Sequence, residues 1–161
     1  MAKRRNFVGS LLIFLILLIM VALIVGAVFE VFVTPKAENI TNRYNKDDSD
    51  TFVTVTDGSV LGVNLASVPA AAALAIYGYS NESIVKKVDA FVTISYTKRE
   101  GDKDVTYSAC VIYFDSMGDA IDARKGVKDN LKENDKVSMF RGKTLVMGDQ
   151  KAVLKYYYVL V

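Results

Sequence analysis

VDAFVTISYTKREGDKDVTYSACVIYF, residues 88–114, is the stretch that decides the fold. Val88, Ala90, Val92, Ile94 and Tyr96 alternate with Asp89, Phe91, Thr93, Ser95 and Thr97. Side chains alternate sides along a strand, so the first set forms one wholly apolar face. Glu100-Gly101-Asp102-Lys103 makes a turn. A second alternating run follows, with Val105, Tyr107, Ala109, Val111 and Tyr113 on one face. Its other face carries Thr106, Ser108, Cys110, Ile112 and Phe114, polar at the start and apolar at the end. Two such runs joined by a short glycine-containing turn predict an antiparallel hairpin.

On the C-terminal side, Ser116 with Asp119 three residues later resembles a capping box. Met117, Ala120, Ala123, Val127 and Leu131 then recur at helical spacing, so a helix is expected to about Lys132. Asp115, Asp119 and Asp122 crowd its first turns. They oppose the positive end of the helix dipole, a plainer account than a metal cluster. Val137–Phe140, a turn at Arg141-Gly142 and Lys143–Met147 predict a second hairpin, ended by Gly148-Asp149. Gln150 to Tyr158 reads as a closing helix with Val153, Leu154 and Tyr157 inward; a last strand is the alternative.

On the N-terminal side, Phe52-Val53-Thr54-Val55-Thr56 is rich in strand formers and stops at Asp57-Gly58. A short Ala-rich helix follows, with Pro69 in its first turn and Gly78 at its end. The order of elements is similar to the βαββαβ order of the ferredoxin-like sandwich. The expected class is therefore α+β: a small antiparallel sheet with helices on one face, formed by residues 51–161 and able to fold alone. The likeness is one of element order only, and many unrelated functions use that plait.

Residues 34–50 have few large apolar side chains and read as a polar, solvated stalk. Asn45-Lys46-Asp47-Asp48-Ser49-Asp50 resembles half of a calcium loop, but the central glycine and closing glutamate are missing. Asn39-Ile40-Thr41 and Asn81-Glu82-Ser83 match the N-glycosylation pattern.

Phe7 to Phe29 is an unbroken apolar run of 23 residues, with Lys3, Arg4 and Arg5 in front of it. A helix of that length measures roughly 35 Å, against a hydrocarbon core of about 30 Å. Residues 1–33 are thus expected to be a cytoplasmic tip and a transmembrane anchor, with residues 7–29 in the lipid bilayer. The basic residues place the N-terminus in the cytoplasm and the C-terminal domain outside it. A cleaved signal peptide ending at Val25-Gly26-Ala27 is the rival, but signal cores run only about 7–15 residues. A pilin-type leader is a further alternative; Leu11 stands where such subunits carry a glutamate. Gly9-Ser10 and Gly26-Ala27 do not make a GxxxG face, so the oligomeric state is unassigned.

Charge and composition narrow the function. The chain has 20 basic and 18 acidic residues; setting aside Lys3, Arg4, Arg5 and Glu30 leaves 17 of each. Such a balance argues against nucleic acid as a partner, because phosphate binding needs a basic surplus. There is no histidine, which removes Ser-His-Asp and Cys-His catalysis and most zinc sites. Cys110 is the only cysteine, so no intramolecular disulfide is possible. It reads as a small apolar strand residue rather than a nucleophile. Phosphate loops, dinucleotide fingerprints and nucleophile elbows are absent from the sequence. No catalytic, cofactor-binding or metal-ligating residue is assigned, and no cofactor is expected. The expectation is a membrane-anchored, non-enzymatic interaction or sensing module with a protein partner at the membrane. The alternative is a cell-envelope enzyme or small-ligand binder using Asp, Tyr or Lys.

Overall fold

The computed structural model describes residues 2–45, 51–60, 62–157 and 159. The chain divides into two compact units, Met1–Phe32 and Val33–Val161. The first is one helix, α1 (Ala2–Phe32). Its described large apolar side chains from Leu11 to Val28 are between 49% and 66% exposed. Among the described residues no helix is long and apolar enough to cross a membrane. The spanning segment read over residues 7–29 is met only in part. The unbroken apolar stretch whose side chains are described is 11–26, roughly 24 Å of helix against the roughly 30 Å a bilayer core needs.

The second unit is α+β. Thr51–Asp57 (β1) enters first, followed by a two-residue ladder of Ser59–Val60 (β2) with Val63–Asn64 (β3). Then come helices α3 (Ser67–Ile76) and α4 (Glu82–Val85), and the long hairpin of β4 (Val88–Glu100) and β5 (Lys103–Phe114). Helix α5 (Met117–Glu133), strands β6 (Val137–Arg141) and β7 (Thr144–Gly148), and helix α6 (Gln150–Tyr157) complete it. The hairpin runs in the register that its alternation requires, with Thr93 opposite Cys110, Val92 opposite Val111 and Ser95 opposite Ser108. Ser116 caps α5 by accepting from the Asp119 backbone N–H at 3.1 Å, and donates from its hydroxyl to the Asp119 carboxylate at 2.8 Å. The C-terminal element is the helix, not the strand, although Tyr158, Leu160 and Val161 lie outside the described residues.

Five strands form one antiparallel sheet in the order β1-β4-β5-β7-β6. This departs from the ferredoxin-like plait. There, each helix joins two parallel strands with another strand between them. Here only β5-α5-β6 does so, with β7 inserted. The first connection instead returns to pair β1 directly with β4, Asp57 meeting Ala90. The chain leaves β1 and enters β4 at the same end of the sheet, so the intervening helices form an excursion rather than a crossover.

The sheet is covered on both faces, not one. On the first face, Ala70 and Leu74 of α3, Ile84 and Val85 of α4, and Ala120, Ala123, Val127 and Leu131 of α5 pack on Phe91, Ile112, Phe114 and Leu145. On the second, Val92, Ile94, Tyr96, Val111 and Val146 lie under Ile40, Tyr44, Val153 and Tyr156. Val88 is displaced from its expected face by a bulge, because Asp89 has no partner between the Val88–Phe114 and Ala90–Tyr113 pairs. Val88 therefore joins the first core.

Ile40 and Tyr44 belong to α2 (Ala37–Asn45), which lies inside the segment read as a solvated stalk. Both are fully buried, and the Tyr44 hydroxyl donates to the Ala152 carbonyl of α6. The preceding residues are docked too. The Thr34 hydroxyl oxygen accepts from the Lys143 N–H at 2.8 Å, and Tyr113 donates to the Pro35 carbonyl at 2.8 Å. Residues 34–45 are thus part of the folded unit. The acidic cluster from Lys46 to Asp50 lies outside the described residues. In α6 the inward positions are Ala152, Val153 and Tyr156, at helical spacing; Leu154 faces out and the Tyr157 side chain is not described.

Candidate functional site

The half-polar part of the hairpin's first face is where α3 stops short of covering the sheet. Cross-strand pairing sets Thr54, Thr93, Cys110 and Met147 in one row, and Phe52, Ser95 and Ser108 in the next. Ala73, Ile76 and Tyr77 at the end of α3 overhang these rows and leave a groove of about 370 Å³. Its rim is apolar and unusually open: Phe52 is 73% and Ile76 75% exposed. One flank is the open edge of β1, which pairs only with β4 among the described strands.

The polar end of the groove is held by an ion pair. Lys136 Nζ lies 2.5 Å from Asp149 Oδ1. The other oxygen, Asp149 Oδ2, accepts from the Ser108 backbone N–H at 2.7 Å and from its hydroxyl at 3.2 Å. Burial pushes the Asp149 carboxyl upward, but the bonds from Lys136 and Ser108 outweigh it and hold its pKa below the ordinary value. The same hydrogen bond raises the pKa of Lys136. Lys136 is therefore engaged rather than poised over Cys110. Cys110 lies partly buried in the floor, and burial pushes its thiol up to about 12. It is a thiol, not a thiolate, at neutral pH, and lacks the nucleophile's charge state.

The acidic residues of the hairpin end and α5 do different work. The Asp119 carboxylate accepts from the hydroxyl of the capping Ser116, and Asp122 pairs with Lys125 at 3.4 Å. Burial and the neighbouring Asp115 raise the pKa of Asp89, which lies beside the bulge. Among the described residues no group of three His, Cys, Asp or Glu side chains could hold a metal.

A second concavity lies between α3 and α4, about 400 Å³ in volume and mostly apolar, walled by Val68, Ala71, Ala75, Tyr79 and Val85. It depends on how α3 ends. Gly78 adopts φ +77°, its N–H bonds to the Ala75 carbonyl at 2.9 Å, and the Tyr79 N–H bonds to the Leu74 carbonyl at 3.1 Å. This is a Schellman motif, which requires the left-handed residue and folds the next side chain back onto the helix. The Tyr79 ring then lies on Gly126 of α5, where a Cβ would come within 2.1 Å of it. A glycine in mid-helix costs about 1 kcal/mol against alanine, and the close approach of this ring explains it.

Sequence reasoning located Cys110 and the polar rows, but not Lys136, Asp149 or Tyr79. The ion pair joins residues from opposite ends of the β6-β7 hairpin, which no local spacing reveals. For Tyr79 a signal was present: an isolated glycine within the α5 pattern marks a close approach. No family model, no curated protein and no solved structure matches the chain.

Proposed function

We propose that this chain is a single-pass membrane protein whose C-terminal unit is a non-enzymatic interaction module outside the cytoplasm. It docks an extended segment of a protein partner along β1 and into the adjoining groove. The observation that carries this reading is the pairing of an open strand edge with two large apolar side chains, Phe52 and Ile76, each about three-quarters exposed. Natural edges are usually blunted by charge, proline or a covering element, and β1 is uncharged until Asp57. An added strand gains main-chain hydrogen bonds from the edge and specificity from pockets for alternate side chains. The hydroxyls of Thr93, Ser95 and Ser108 line the adjoining groove and offer polar partners to the part of the segment that enters it.

The membrane reading is supported by the exposed apolar side chains of α1 and the basic residues before them. Apolar side chains exposed all round a helix call for an apolar solvent. Protease added to intact cells or spheroplasts is expected to digest the C-terminal unit and spare the tip; a protected C-terminus overturns the orientation. The docking reading is tested by photo-crosslinking in native membranes. A photoreactive residue at position 52 or 76 is expected to give one discrete adduct that Thr93→Lys abolishes, while one at Arg99 gives none. Equal labelling from all three positions, or an adduct indifferent to Thr93→Lys, refutes it.

A further inference from the structure

The short β2-β3 ladder holds apolar side chains out in solvent. Val60 and Val63 are paired across it and are each 54% exposed. Directly opposite residues share a face, so the two valines stand side by side. Leu65, just beyond the ladder, is exposed as well, and Val68 in the first turn of α3 is 64% exposed. Strands of two residues do not hold together alone. This pair is fixed at its base instead. The Leu65 N–H bonds to the Gly58 carbonyl at 3.0 Å, and the Asn64 side chain donates to the Val88 carbonyl at 2.6 Å. The Asn64 side-chain oxygen accepts from the N–H groups of Ala66 and Ser67 at 2.9 and 3.3 Å. An apolar patch held out in this way, rather than tucked into the core, marks a surface for an apolar partner.

The ladder lies at a particular end of the sheet. Asp57 of β1, Val88 of β4, Phe114 of β5 and the β6-β7 turn all meet there. The chain enters the unit at this same end, where Thr34 is bonded to Lys143 and Pro35 to Tyr113. Gly142, at φ +55°, admits that docked entry, since a Cβ there would come within 2.6 Å of the Thr34 backbone nitrogen. Thr34 is five residues beyond Phe29, the end of the apolar run, and five residues reach only about 18 Å when fully extended. The opposite end of the sheet is far away, because β4 is 13 residues long and spans about 40 Å.

We propose that the β2-β3 tip is a membrane-contact element: Val60, Val63 and Val68 enter the adjoining leaflet of the lipid bilayer, and the unit stands with this end of its sheet against the membrane. This contact presupposes that α1 is a membrane anchor. The short, docked tether selects lipid as the occupant, because it keeps this end of the sheet beside the bilayer and the far hairpin turn away from it. Charge at this end is mixed: the exposed Lys36, Lys87 and Lys143 stand among the exposed Asp57, Asp89 and Asp115. An anionic headgroup is therefore not what this end selects, and its apolar side chains carry the contact. The tip uses none of the residues of the Cys110 groove, so it stands or falls independently of the docking reading.

The test uses the full chain in phosphatidylcholine vesicles, in a Cys110→Ser background. A single fluorescent label is placed in turn on Leu18→Cys, Val63→Cys or Asp102→Cys, the last in the exposed turn at the far end of the hairpin. Lipid carrying a nitroxide on its acyl chain reports contact by quenching. The labels at 18 and 63 are expected to be quenched and the label at 102 is not. Val60→Asp should release the label at 63 from quenching and leave the one at 18 quenched. It should not shift the melting curve, because Val60 is exposed. An unquenched label at 63 beside a quenched one at 18 overturns the contact and leaves the membrane reading standing; a protein partner at the tip would give that result. An unquenched label at 18 overturns both. Quenching at 102 as strong as at 63 overturns the proposal, since neither end is then held to lipid. So does quenching at 63 that survives Val60→Asp, since the apolar tip is then not what makes the contact.

Discussion

Replacing Ile40 by alanine separates a docked α2 from a solvated stalk. Ile40 is fully buried under the second face of the sheet, beside Tyr44 and against α6. Removing its three carbons from a closed site loses their transfer energy and leaves a cavity, a cost of about 3 kcal/mol within the usual range for such changes. Unfolding entropy is about 2.1 cal/mol/K per residue, which for a unit of roughly 130 residues gives about 0.27 kcal/mol/K. The expected drop in melting temperature is therefore about 11 °C. Asn42 lies two residues away on the exposed side of the same helix. Asn42→Ala is the control and should stay within about 0.5 kcal/mol, or roughly 2 °C. Both variants are read by calorimetry and by circular dichroism on residues 33–161. A fragment starting at residue 51 would uncover Val92, Val111 and Tyr96, and should lose cooperative unfolding. If Ile40→Ala melts with Asn42→Ala, or the shorter fragment is as stable as the longer, α2 is not part of the core.

Three other perturbations probe other parts of the fold. Val92→Asp or Val111→Asp buries an unpaired charge between the sheet and its second helical layer, and should abolish the native circular dichroism spectrum; a folded, cooperative variant would refute the face assignment. The Lys136–Asp149 pair sets a pH window. The depressed Asp149 pKa contributes stability present above the unfolded carboxylate value of about 4 and lost as pH falls through the folded one. The raised Lys136 pKa contributes stability present below about 10.4 and lost as pH rises through its folded value. Asp149→Asn should therefore cost about 1–2 kcal/mol at pH 7, by urea titration, with the difference from wild type vanishing in acid; a constant difference down to pH 2 would refute it. Cys110→Ser should cost about 1 kcal/mol through partial burial of a hydroxyl and leave the crosslinked adduct intact. Loss of the adduct from a stably folded variant would make the thiol functional.

Much of the sheet was legible because its signals are local. The β4-β5 alternation, the Ser116 cap and the Arg141-Gly142 turn each fix geometry within a few residues, and each lies where its chemistry requires. Cys110 was placed on a half-polar face by period alone, and the groove exists because that face keeps hydroxyls where α3 ends. Strand order was not legible. Whether the chain crosses the sheet or returns to the same end depends on which edge β1 takes, and element order does not encode that.

The missed second layer has a more specific cause. A sheet face is read as covered when its apolar residues continue unbroken, and β4 and β5 are apolar on both faces towards one end: Val92 and Val111 on one, Phe91, Ile112 and Phe114 on the other. That two-sided pattern demands a helical layer above and below. The second layer was hidden because its helices are short and polar. Among the described side chains, those of α2 that are fully buried are Ile40 and Tyr44, four residues apart, and those of α6 that are buried are Ala152, Val153 and Tyr156. Neither repeats often enough to stand out as a period, and neither would be stable alone at nine and eight residues. They exist because the sheet supplies the surface. Tyr44 and Tyr156 bring their hydroxyls into that interface, one bonded to the Ala152 carbonyl and the other to Thr144. Polar segments next to a two-sided strand are therefore better read for paired large residues at i and i+4 than for mean hydropathy. By that reading, residues 34–45 belong to the domain.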